Sequence, residues 1–195
     1  MASFDRFAGL ASVLAGLAGI GYAVAFVMLK NAPLAAQFLT LAPLFAVAGL
    51  VAVFERVRGI DSGYATLALA LGAFGSLAAS SHGVYDLSNV LHPPAALPDV
   101  PFPVDPRGYG TFALTGLAVL ILAGLAGRST DLPSWVSPLG LVLGASLVVT
   151  FLARLVVLDA TSMLVLLPAL VSGLLSPVFF LLLGAWLLGW RRSAG

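Results

Sequence analysis

His82, Tyr85, Asp86 and Asn89 recur at intervals of three and four residues, with His92 following. That spacing stacks side chains along one face of an α-helix. At about 100° per residue they fall near 0°, −60°, +40° and −20°, and His92 continues the stripe at about −80°. His82 and Asp86, at i and i+4, have the separation with which a helix offers two ligands to one zinc ion, and His92 is the third candidate, or Asp99 or Asp105 from a loop folded back. A catalytic zinc takes three protein ligands and an open position, and the chain holds two histidines. The three-histidine pattern of intramembrane hydrolases is therefore not met. The competing reading is structural: the stripe is the wet end of a long helix, tying down the loop that follows.

Other chemistries fit less well. About 15 Å of helical rise separates His82 from His92, too far to clamp one haem iron. Lys30, the single lysine, is placed at a helix end rather than in a retinal pocket. The absence of cysteine removes disulfides, thiol catalysis and iron–sulfur ligation. Ser80, Ser81 and Ser88 lack a nucleophile elbow, and there is no phosphate-binding glycine loop. Arg154 is the remaining ionisable residue inside an apolar run. It costs a few kcal/mol there unless it snorkels or pairs, which makes Asp86, Asp105 and Asp159 its candidate partners. By depth, Asp86 and Arg154 are expected to meet and lock the third span to the fifth. In the functional alternative, Arg154 faces an anionic headgroup or carboxylate in an outer pocket.

The elements that must position these residues are long and apolar. Of 195 residues, 61% are hydrophobic and 9% charged, far from a soluble domain. The charges cluster between runs of about 18 to 25 apolar residues, enough to cross about 30 Å of hydrocarbon. Six spans are expected, at about 7–29, 34–54, 64–91, 109–126, 134–158 and 162–190: an all-α polytopic transmembrane bundle in one domain. A short leader, MASFDR, precedes the first. Gly9, Gly16, Gly19 and Gly21 prepare one side of that span for a close neighbour, and Gly140-x-x-x-Gly144 does the same in the fifth. Pro43, Pro168 and Pro177 interrupt the second and sixth. Asp61 or Ser62 is the expected N-cap of the third, and His92-Pro93-Pro94 its stop. The proline-rich stretch 93–108 reads as an extended loop, with Asp105-Pro106-Arg107-Gly108 turning into the fourth span.

A net charge of +1 gives no case for nucleic acid. Arg6, Arg56, Arg58, Arg128, Arg191 and Arg192 fall on the side of both termini, against Lys30, Arg107 and Arg154 opposite, and Tyr64, Trp135 and Trp190 mark the same boundary. The positive-inside rule then puts the termini in the cytoplasm and the histidine stripe outside.

HGVYDLSNVLHPP closing the third span, PxPVDPRGYGTF opening the fourth and RLVVLD ending the fifth resemble a group of uncharacterised bacterial six-helix integral membrane proteins, known as a domain of unknown function. The resemblance implies a bacterial cytoplasmic membrane and carries no residue role. The expected function is binding of a small ligand, lipid headgroup or partner in an outer polar pocket built from His82, Tyr85, Asp86, Asn89, His92, Arg107 and Arg154, without a cofactor. The rivals are a zinc-dependent membrane enzyme using His82, Asp86 and His92, and a small transporter. The transporter suffers from having no ionisable residue near the midplane.

Overall fold

The first helix turns small residues inward and large apolar residues outward. Ala8, Ala11, Ala15 and Ala18 are buried while Phe7, Leu10, Leu14 and Leu17 are exposed. The sixth also exposes Leu164, Leu167, Leu170 and Leu174, while burying Phe179, Phe180 and Leu183. Water would penalise such a surface, whereas lipid tails accept it and leave close packing of small residues to hold the helices together.

The computed structural model describes residues 2–93, 106–157, 159 and 161–189. Six helices follow in order: α1 (Ala2–Ala23, extended by a π-helical turn, Val24–Met28), α2 (Ala32–Val57), α3 (Ser62–Leu91), α4 (Pro106–Ala126), α5 (Val136–Val156) and α6 (Met163–Leu187). There is no strand among the described residues. Five helices are long and apolar enough to cross a membrane, and α4 contributes a shorter apolar segment, Gly110–Ala126.

Local chemistry sets the boundaries. Asn31 caps α2, its Oδ1 accepting from the Leu34 N–H at 3.0 Å, and Pro33 occupies the first turn. Asp61 caps α3, its Oδ1 accepting from the Tyr64 N–H at 3.1 Å. His92 ends α3 with φ −133° and ψ 75°, as the following prolines require. Two expected boundaries move. The leader is helical from Ala2, because nothing in residues 2–6 breaks a helix and Asp5 suits its positive N-terminal end. Residues 106–108 belong to α4 rather than to the loop, since proline is well tolerated in a helix's first turn. Residues 94–105, including Asp99 and Asp105, lie outside the described residues, as do Trp190, Arg191 and Arg192.

Each helix packs on its neighbours in sequence, and α6 packs on α1, so the six close into a ring; α2 leans inward to touch α4 and α6 as well. Glycine marks the joins. Gly9, Gly16 and Gly19 lie against α6, and Gly21 against Phe38 of α2. Gly140 and Gly144 pack on α4 within the same chain: a Cβ on Gly144 would stand 2.8 Å from the Gly116 carbonyl oxygen and the Leu120 backbone nitrogen.

Candidate functional site

The upper half of α3 is fixed to α2 by backbone contact. Ser80 donates its hydroxyl to the Thr40 carbonyl at 2.8 Å, and Gly83 sits so close that an added Cβ would be 2.6 Å from the Thr40 nitrogen. This turns one flank of α3 partly inward: His82, Tyr85, Asp86 and Asn89 are half-buried, while Ser81, Val84 and Ser88 are exposed. Within the stripe His82 Nε2 lies 3.5 Å from Asp86 Oδ2. The helical spacing thus brings together the pair it promised.

The rest of the expected constellation is dispersed. His92 is exposed at the C-cap, and no three His, Cys, Asp or Glu side chains group as metal ligands among the described residues. His92 stands about 9 Å of rise beyond Asp86, outside the reach of one ion held by His82 and Asp86. Arg107 falls in the first turn of α4, and its side chain is outside the described residues.

Arg154 does not meet Asp86. Among the described residues α3 and α5 share no contact, because α4 stands between them in the ring. Arg154 is buried and turns back on its own helix end, its Nη1 donating to the Val157 carbonyl at 3.2 Å, where the dipole favours a cation.

Asp159, in the turn after α5, is bound by Thr161. Its Oδ1 accepts from the Thr161 hydroxyl at 2.7 Å and the Thr161 N–H at 2.8 Å. These bonds hold its carboxyl below the ordinary aspartate value, the hydroxyl contributing most and the Arg154 charge adding a smaller pull. A depressed carboxylate stabilises its turn above the unfolded pKa and loses that contribution as pH falls through the folded one. The Thr161 amide resonance is therefore expected to titrate with a midpoint below that of a free aspartate, and Thr161→Val to raise it. An unchanged midpoint in the variant would refute the assignment.

Beneath the stripe lies a feature that no sequence motif marks. A chamber of about 210 Å³ is lined by every helix: Gly19 of α1, Pro43 of α2, Ser76 of α3, Thr115 of α4, Leu147 of α5 and Ser176 of α6. Its walls are apolar apart from the hydroxyls of Ser76, Thr111, Thr115 and Ser176. Ala79 also lines it, so the wall of the chamber and His82 are separated by about 4.5 Å of helical rise. A cavity of about 150 Å³ already takes benzene, so this one has room for a ring or a short run of methylenes. Small residues and mid-helix hydroxyls at matching depth on several spans were the available signal.

No protein-family model, curated protein or solved structure is significantly similar to this chain.

Proposed function

We propose that the chain is a multi-pass protein of a bacterial cytoplasmic membrane, with both termini inside, that binds a small amphipathic molecule. The apolar body enters the six-helix chamber, and the polar head reaches His82 and Asp86 at the outer rim, with Tyr85 and Asn89 beside them. One observation carries this reading: a half-open apolar chamber, lined from all six helices, about one helical turn from the polar stripe of α3. The arginine imbalance supports the orientation.

The test is to purify the protein in mild detergent, extract it and identify co-purifying small molecules by mass spectrometry. Ala79→Phe fills the chamber and is expected to lower occupancy more than tenfold, whereas Leu77→Phe, on the exposed side of the same helix, is expected to leave it unchanged. Undiminished occupancy in a stably folded Ala79→Phe protein would overturn the proposal.

The His82–Asp86 pair favours a second reading, a zinc-dependent membrane enzyme whose third ligand is a residue other than His92. Near-stoichiometric zinc in the wild type, lost in both His82→Ala and Asp86→Ala, would favour that reading over simple ligand binding.

A further inference from the structure

The bundle end opposite the histidine stripe carries two adjoining cavities, about 560 and 620 Å³, which share Arg56 and Asp131. They lie at the level of a membrane–water boundary, because Arg56 and Trp186 are next to the last residues of their helices and Asp5 is in the first turn of α1. Arg56 is held from three sides. Its Nη1 donates to the Ala52 carbonyl at 2.8 Å, its Nη2 meets Asp5 Oδ1 at 3.0 Å, and its guanidinium carbon stands 4.9 Å from the centre of the Trp186 ring. These contacts occupy two of the five guanidinium N–H groups and fix the plane of the rest.

The lining states what would bind. The first cavity sets Arg56 against the carboxylates of Asp5, Glu55 and Asp131. Asp5 is paired with Arg56, and Glu55 with Arg58 at 3.1 Å, so among the described residues Asp131 is the carboxylate of this cavity left to meet a ligand's ammonium. The second adds the indoles of Trp135 and Trp186, the ring type that settles at headgroup level, above Leu182 one turn deeper on α6.

We infer that this end binds a phosphoethanolamine-type zwitterion, with its phosphate on Arg56, its ammonium between Asp131 and the indoles, and any acyl chain lying along Leu182. The site is separate from the chamber and does not depend on it.

The test uses delipidated full-length protein in detergent, titrated by native mass spectrometry with phosphatidylethanolamine and with phosphatidylglycerol. Phosphatidylethanolamine is expected to bind about fivefold more tightly, the size of one exposed charge pair. Asp131→Asn, at an exposed position outside the core, is expected to abolish that preference without changing the melting temperature. Arg56→Lys is expected to weaken both lipids. Equal wild-type affinity for the two lipids, or an Asp131→Asn protein that keeps the preference, would overturn the inference. Competition by free phosphoethanolamine would assign the soluble compound as the ligand, and absence of competition would assign the bilayer lipid.

Discussion

Gly144→Leu is expected to destabilise the protein by about 3 kcal/mol or more, measured by SDS titration of the purified protein or by its melting temperature in mild detergent. α4 and α5 touch backbone to backbone at this point. A Cβ on Gly144 would lie 2.8 Å from the Gly116 oxygen, and one on Gly116 would lie 2.9 Å from the Gly144 oxygen. Neither obstacle is the end of a flexible side chain, so accommodation requires the helices to separate. Separation also forfeits dispersion contacts along the join, the main attraction between helices in lipid. Gly124, on the same α4, has nothing within 4 Å of an added Cβ. Gly124→Ala is accordingly expected to be neutral or stabilising by up to about 1 kcal/mol. Equal losses at the two positions would refute the contact.

Arg56→Ala is expected to cost about 2 kcal/mol in the same assay, combining a partly buried ion pair with a cation–π contact. Arg56 joins three helices: its own α2, α1 through Asp5, and α6 through Trp186. Arg56→Lys keeps the charge but loses the planar ring contact, and about half the loss is expected. A double-mutant cycle with Asp5→Asn should return about 0.5 to 1 kcal/mol of coupling, and strict additivity would show that the pair contributes nothing.

The helices were readable because their cues are local. Six apolar runs, the caps at Asn31 and Asp61 and the stop at His92-Pro93 are each written within a few residues. The arrangement of the ring was not readable. Gly140 and Gly144 announce a close neighbour without saying that it is α4, and the leader that contains Asp5 offered no hint that it pairs with Arg56, 51 residues away. The Asp86–Arg154 pairing failed for the same reason, since depth along a helix axis says nothing about which helices are adjacent. Of the site, the His82–Asp86 pair was legible because both partners share one helix. The chamber was not, because Ser76, Thr111, Thr115 and Ser176 come from three helices and each looks unremarkable within its own sequence.

The join between α1 and α6 also bears on synthesis. Every other strong contact in the ring links consecutive helices, so each can form soon after its second member emerges. α1 waits for about 140 further residues before α6 begins, roughly 10 to 30 s at ordinary translation speed. Through that interval the groove at Gly9 and Gly16, later filled by Leu188 and Leu181, stands open to lipid or to other nascent chains. The last seam to close is thus also the one at which an unfinished molecule could be captured by a second copy.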